Sequence, residues 1–265
     1  MNHIEKLKDL IEGARSIVFF GGAGVSTESG IPDFRSEKGL YKAQQEYGRS
    51  PETMISHSFF LENPDVFFHY YKENLLYPAA KPNAAHLGLA AIEKAGKAVS
   101  IVTQNIDGLH QVAGSSTVFE LHGSVHRNYC LDCGAKYDLA YVLNPAHCES
   151  KIGGREDKNR GNSRSTTYVP YCEKCGGPVR PDVVLYEEGL DDDTVSCAVT
   201  AIRQADLLIV GGTSLVVYPA AGFLNYFRGD HLALINMSET GMDSRADLVI
   251  RQPIGEVFSE MNLLL

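Results

Sequence analysis

The chain has 265 residues, of which 44% are hydrophobic, and carries a formal net charge of −9 with a pI of about 5.5. That length is long for one compact domain and short for two full ones, so a main domain carrying smaller modules fits best. The acidic balance argues against nucleic-acid partners and anionic membrane surfaces, which need a basic footprint, and is compatible with basic peptides. The charged stretch Met1–Lys8 lacks the apolar core of a signal peptide, and no apolar run is long enough to span a bilayer. A cytoplasmic protein with reduced cysteines is therefore expected, in which paired cysteine spacings mean metal rather than disulfides.

In chain order, the pattern predicts a helix over Ile4–Ala14 and a strand over Ser16–Phe20. A helix over Ala84–Lys94 and a strand over Val99–Thr103 follow, then a strand over Val183–Tyr186 and a helix over Asp193–Ala205. The series closes with a strand over Leu207–Val210, a helix over Pro219–Phe227, and strands over Leu232–Asn236 and Leu248–Ile250. The strands are apolar almost throughout, as expected for a sheet covered on both faces. Strand and helix in alternation predict an α/β fold, a Rossmann-like doubly wound parallel sheet with right-handed crossovers. Two stretches break the rhythm. Residues 32–82 hold aromatic helical patterns such as Val66-Phe67-Phe68-His69-Tyr70-Tyr71 and no good strand. Residues 128–180 hold cysteine pairs and a polar insert, Glu149–Thr167, expected to be a loop.

The strand Ile17-Val18-Phe19-Phe20 runs into Gly21-Gly22-Ala23-Gly24-Val25-Ser26. Such a turn lets backbone N–H groups and a helix dipole meet a pyrophosphate, although a tight strand-to-helix turn accounts for it equally well. Thr27 stands where the usual dinucleotide fingerprint has a third small residue. A second glycine turn, Gly211-Gly212-Thr213-Ser214, follows another strand, and two such strand ends in one sheet are more telling than one. Cys130-Leu131-Asp132-Cys133 and Cys172-Glu173-Lys174-Cys175 are two Cys-x2-Cys knuckles, the donor set of a closed tetrahedral zinc site that holds structure and does no chemistry. His147-Cys148 lacks knuckle spacing and is left out of the ligand set, and Cys197 reads as a core residue of its helix.

These motifs, together with Gly22–Arg35, Gly39-Leu40-Tyr41, Lys81-Pro82-Asn83 with His86, Thr103–His110, Leu121-His122-Gly123, Gly212-Thr213-Ser214, Pro219-Ala220-Ala221 and Ile235-Asn236, resemble the sirtuin family in order along nearly the whole chain. The resemblance is to its bacterial-type, zinc-containing NAD-dependent protein deacylases. It implies an NAD-binding Rossmann-like domain over 1–34, 83–127 and 181–265, a helical module over 35–82 and a small zinc-ribbon domain over 128–180, with NAD in the cleft between large and small domains. By resemblance, Gly22, Ala23, Gly24, Thr27, Asp33 and Arg35 would lie at the pyrophosphate and adjacent ribose. Phe34 would cover the reactive ribose face. Gln104 and Asn105 would lie near the nicotinamide ribose, and Ile106 and Asp107 would hold the nicotinamide amide. Gly212, Thr213, Ser214 and Asn236 would sit at the adenosine end, and Cys130, Cys133, Cys172 and Cys175 would hold Zn2+.

The implied reaction removes an acyl group, acetyl above all, from protein lysines, giving nicotinamide, O-acyl-ADP-ribose and free lysine. It needs a base that titrates near neutrality. His122 is the candidate, with Asn105 as the second catalytic residue. An isolated Leu-His-Gly would read as a satisfied, partly buried histidine, and only the motif series argues otherwise. His110 and His126 are taken as structural. Asp33 orients Arg35 or caps the next turn, both remaining open. The implied partners are acetylated-lysine proteins or peptides, with no nucleic acid, no membrane and no statement on oligomerisation.

Two departures bear on substrate. The family usually shows Phe-Gly-Glu where this chain reads Tyr186-Glu187-Glu188, so Glu187 adds a side chain and a charge where substrate backbone is expected to pair. The Tyr-x-x-Arg pair of family members that take acidic acyl groups is replaced here by Phe68 and Tyr71, which favours a neutral acyl group, since a buried carboxylate would lack its guanidinium partner. Mono-ADP-ribosyl transfer to a protein and a non-catalytic NAD-sensing module remain as alternatives. A nicotinamide-dependent reductase is disfavoured by the missing third glycine, by the lack of an acidic ribose residue on the second strand, and by the zinc ribbon.

Overall fold

The computed structural model describes residues 2–33, 44–148 and 168–262. The chain forms two compact units: Met1–Ser36, Tyr77–His122 and Gly189–Leu265 make the first, and Glu37–Leu76 with Gly123–Glu188 the second.

The first unit is built on a six-stranded parallel sheet. In chain order its strands are β1 (Ser16–Gly21), β2 (Ala98–Thr103) and β3 (Val118–Glu120), and then, after the second unit's strands, β7 (Leu207–Gly211), β8 (His231–Ile235) and β9 (Leu248–Ile250). Their spatial order is β3-β2-β1-β7-β8-β9, all pairs parallel. The chain winds outward from β1 to β3 on one side and from β7 to β9 on the other. The order therefore reverses between β1 and β7, and ligands of such sheets bind at the carboxyl ends beside that reversal.

Strand residues alternate between two buried layers, as a pleat requires. Ile17, Phe19 and Ile209 pack with Leu7 of α1 (His3–Gly13), with Leu89 and Ile92 of the helix Ala84–Lys94, and with Phe258 of the helix Ile254–Glu260. Val18, Phe20, Leu208 and Val210 face the other way, onto Ala198 and Ile202 of the helix Asp192–Gln204 and onto Phe223 and Leu224. The helices begin where side chains can take up their unpaired N–H groups. Asn2 and Asn83 form capping boxes with Glu5 and His86, and Asp191 accepts from the Thr194 amide at 2.8 Å; each cap is worth ~1 kcal/mol.

Four expectations need correction. Val183–Tyr186 is not a strand of the parallel sheet. The strand there is β6 (Val179–Val183), paired antiparallel with β4 (Gly123–Cys130) in a three-stranded sheet of order β5-β4-β6, β5 being Lys136–Tyr137. The apolar run Val183-Val184-Leu185 misled. Leu185 instead closes a turn, its carbonyl accepting from the Glu188 amide at 3.1 Å. Pro181 is tolerated in β6 because that strand lies at a sheet edge. The parallel sheet takes the short β3 instead, which a three-residue run containing Glu120 did not announce. The stretch after Pro219 is 3-10, not α, over Ala220–Tyr226, with Gly222 in its middle. Cys197 is exposed, since its helix turns Ala198 and Ile202 to the core.

The second unit joins its antiparallel sheet to the helices Pro51–Met54, His57–Glu62 and Pro64–Asn74. Phe60, Phe67, Phe68 and Tyr71 form a buried ring cluster, with Phe67 edge-on to Phe60 at 5.0 Å and stacked on Tyr71 at 5.8 Å. Segment 185–188 is strapped to the helices. The His57 amide donates to the Tyr186 carbonyl at 3.0 Å, and the Tyr186 amide to that of Ile55 at 3.1 Å. Beneath the strap, buried Arg180 donates to both Glu188 oxygens at 2.7 and 3.1 Å, with its guanidinium over the Phe60 ring. Although burial opposes ionisation, the bonds from Arg180, Leu185 and His57 hold the Glu188 carboxyl down at about 2. Among the described residues, no helix is long and apolar enough to cross a membrane.

Candidate active site and zinc centre

The carboxyl ends of β1, β2 and β7 bring Gly22, Gly24, Gln104, Asn105, Asp107, Gly212 and Thr213 together in the first unit. After β1 the chain turns through Gly22 into 3-10 turns at Ala23–Val25 and Thr27–Ser29. The Gly24 amide donates to the Gly212 carbonyl at 2.8 Å, and Gly212 holds φ at +58°. A Cβ on Gly24 would lie 2.8 Å from Gly212 Cα, and one on Gly22 would lie 2.8 Å from Thr213 Cβ. The two glycine loops therefore need small residues in order to meet each other across the β1/β7 switch. Thr27 Oγ1 donates to the Gly24 carbonyl at 2.9 Å and closes the first loop.

Gln104 joins this junction. Its amide donates to the Gly21 carbonyl at 3.0 Å, and its Oε1 accepts from Thr213 Oγ1 at 3.4 Å. Its Nε2 is buried with no hydrogen-bond partner among the described residues. An orphaned donor here is what a polar ligand in the crevice would satisfy. Beside it, Ser26 bridges two predicted residues: its hydroxyl donates to Asp107 at 2.6 Å and accepts from Asn105 Nδ2 at 3.0 Å. Asp107 also accepts from the Leu109 amide at 2.9 Å. Ser26 is buried and was missed as a site residue; the only signal was its place inside the glycine motif.

His122 is half-buried at the end of this unit, and its Nδ1 lies 3.0 Å from the Gln104 carbonyl oxygen. A carbonyl can only accept, so Nδ1 carries the proton and the basic lone pair lies on Nε2. His86 and His110 are fully buried, with ring centroids 4.7 Å apart. Burial lowers His86 to about 4, against the opposing pull of Asp107, and burial with His86 as neighbour lowers His110 to about 3. Both are neutral near pH 7 and act as packing.

Asn236 lies past β8, its amide donating to the Ile250 carbonyl at 3.0 Å and its Nδ2 to the Ser238 carbonyl at 2.9 Å. Ile106 and Ser214 lie among the described residues, and Asp33 is the last described residue of the motif. Phe34, Arg35, Gly39-Leu40-Tyr41 and the 149–167 insert lie outside the described residues.

In the second unit, Cys130, Cys133, Cys172 and Cys175 gather so that their four sulfurs lie within 4.8 Å of one another. Tetrahedral zinc with Zn–S near 2.3 Å sets its sulfurs ~3.8 Å apart, so the donor set fits. The knuckles are built alike. The Gly134 amide returns to the Cys130 carbonyl at 3.0 Å, and the Gly176 amide to that of Cys172 at 2.8 Å. Both glycines sit at positive φ, +69° and +77°. Gly177 lies close against the Asp132 side chain of the other knuckle, where a Cβ would make the carboxylate shift.

Comparison with known proteins now adds the family. The model of the Sir2 family matches residues 22–219. The chain belongs to the Sir2 family. It is 56% identical over 257 residues to an NAD-dependent protein deacetylase of Clostridium acetobutylicum, covering 97% of each chain. A solved sirtuin superposes with a TM-score of 0.83 at 36% identity, over 99% of this chain and 98% of the other. A structure of Sir2 with a p53 peptide and NAD+ superposes with a TM-score of 0.81 at 34% identity, over 98% of this chain and 97% of the other.

The residues at which the sequence departs from the family pattern belong to the second unit. Glu187 holds φ at +79°, a backbone that favours the glycine usual in the family. Its carboxylate is bound by the Ser58 amide at 2.8 Å and the Ser58 hydroxyl at 3.0 Å. Phe68 and Tyr71 are fully buried in the ring cluster, and Lys72 Nζ donates to Cys148 Sγ at 3.1 Å.

Proposed function

We propose that this Sir2-family chain is an NAD-dependent protein-lysine deacetylase acting on acetylated proteins or peptides in the cytoplasm. The observation that carries the reading is the His122 imidazole, oriented by the Gln104 carbonyl so that its basic Nε2 serves a crevice at the β1/β7 switch. Near-complete coverage of relatives named for this activity supports it.

NAD is consumed as co-substrate: nicotinamide leaves, and the acyl group passes from lysine to the ADP-ribose. The chain supplies the surroundings. Gly22, Ala23, Gly24 and Thr27 shape the phosphate end; by their place in the motif Asp33 and Arg35 are assigned to the same end and Phe34 to the reactive ribose face, Phe34 and Arg35 lying outside the described residues. Gly212, Thr213, Ser214 and Asn236 serve the adenosine end. Asn105, Ile106 and Asp107 hold the nicotinamide end, with Ser26 locking Asn105 to Asp107. The buried Gln104 Nε2 donates to the ligand. His122 takes a proton from a ribose hydroxyl, which general-base catalysis rewards with roughly 10²–10⁴-fold in rate. Cys130, Cys133, Cys172 and Cys175 hold a structural zinc with no open position.

Substrate selection follows from the second unit. With Phe68 and Tyr71 committed to the core and no arginine at that spacing, a neutral acyl group is accepted and an acidic one refused. Glu187 spends its charge on Ser58 and therefore adds little preference for basic flanks.

Mass spectrometry of an acetyl-lysine peptide, incubated with and without NAD beside His122→Ala, tests the proposal. NAD-dependent loss of acetyl with formation of O-acetyl-ADP-ribose, absent in the variant, is the expected result. Consumption of NAD with the peptide still acetylated would replace it by ADP-ribosyl transfer.

A further inference from the structure

Tyr137 stands in β5 with its hydroxyl oxygen 2.9 Å from Cys172 Sγ. A thiolate can only accept, so with zinc bound the phenol is the donor. The ring is held from several sides. It lies against Tyr141 at 4.0 Å between centroids, and Tyr141 stacks on His147 at 3.7 Å with 16° between planes. Tyr141 Oη donates to the Tyr171 carbonyl at 2.6 Å, and the Tyr171 amide to the His147 carbonyl at 2.8 Å. His147 Nδ1 donates to the Tyr141 carbonyl at 3.0 Å. This three-ring stack is tied to Tyr171, the residue before Cys172, so ring and sulfur are anchored to the same short segment.

We infer that Tyr137 is a positioning residue of the zinc centre, whose hydroxyl hydrogen-bonds the Cys172 thiolate and slows the loss of zinc. The inference rests on the zinc reading above. The bond draws charge from one sulfur, so that thiolate competes less for protons and for foreign electrophiles. Outer-shell partners of this kind are worth roughly 10–100-fold in metal affinity. His147 thereby gains a role as the end of the stack rather than as a ligand.

The test uses the purified holoprotein and its Tyr137→Phe variant. Metal content is measured first, then the rate of zinc transfer to a chromogenic chelator. Tyr137→Phe is expected to fold, to purify with zinc, and to release it about tenfold faster or more. In the cobalt-substituted proteins the sulfur-to-metal charge-transfer band should move to lower energy in the variant, because a thiolate without its hydrogen bond is the better electron donor. A loosened fold alone would not shift that band. Tyr141→Phe, which keeps the rings and the Tyr137 hydroxyl, should leave the band in place. Wild-type release with an unshifted band in Tyr137→Phe would overturn the role of Tyr137 while sparing the zinc reading. Wild-type protein that holds no metal would overturn both.

Discussion

The two units are stabilised in opposite ways. The first buries strands on both faces of a six-stranded sheet and needs no cross-link. Its functional residues are loop groups poised at strand ends. The second has a three-stranded sheet and short helices, and holds itself with a four-sulfur cluster and a pair between buried Arg180 and half-buried Glu188. Small cores rely on such staples because they bury too little apolar surface. Chemistry can therefore be removed from the first unit without unfolding it, whereas removing a zinc ligand or the Arg180 guanidinium from the second loosens the structure itself.

The largest effect expected is from metal removal. Structural zinc supplies apparent folding energies on the order of 10 kcal/mol. Chelation should raise hydrogen exchange across residues 123–148 and 168–188 while β1 and β7 stay protected, as peptide-resolved exchange would reveal. Equal loosening of both units would break the contrast. His122→Ala comes next. It should lower kcat by roughly 10²–10⁴-fold with thermal midpoint and zinc content unchanged, measured by steady-state kinetics and calorimetry. Arg180→Met leaves the half-buried Glu188 carboxylate with only its His57 and Leu185 bonds. It should destabilise the second unit by about 1.5–3 kcal/mol, read from denaturant midpoints, and leave NAD affinity alone.

Ser26→Ala removes the bridge between Asn105 and Asp107. A hydrogen bond to a charged group is worth about 1.5–3 kcal/mol, and the loss should fall on kcat/KM for NAD more than on stability. Burial of two histidines adds a pH dependence to the first unit. His86 and His110 stay neutral down to about 4 and about 3, while in the unfolded chain they protonate near 6.5. Their contribution is complete above pH 6.5 and is lost as pH falls from there toward those folded values. His110→Phe should flatten the drop in thermal midpoint over that window. An unchanged slope would show that the ring is not buried neutral.

The same contrast explains what could be read from the sequence. The parallel strands around Phe19 and Ile209 were legible because burial on both faces leaves a continuous apolar run. The cysteine knuckles were legible because metal geometry fixes their spacing. β6 was misplaced because Val183-Val184-Leu185 is equally apolar, while the turn that ends it is set by Glu188 through its bonds to Leu185 and Arg180. Ser26 was passed over because a lone hydroxyl carries no signal until Asn105 and Asp107, some eighty residues away in sequence, are brought to it. The fate of Glu187 likewise depended on Ser58.

The division of labour itself is tested most directly by metal exchange. Protein reconstituted with cadmium or cobalt in place of zinc, once verified as folded, should deacetylate an acetyl-lysine peptide with unchanged kcat and an unchanged pH profile, as expected if His122 and the glycine loops do the chemistry. A kcat or an apparent pKa that follows the identity of the metal would place the metal in the reaction and contradict the account.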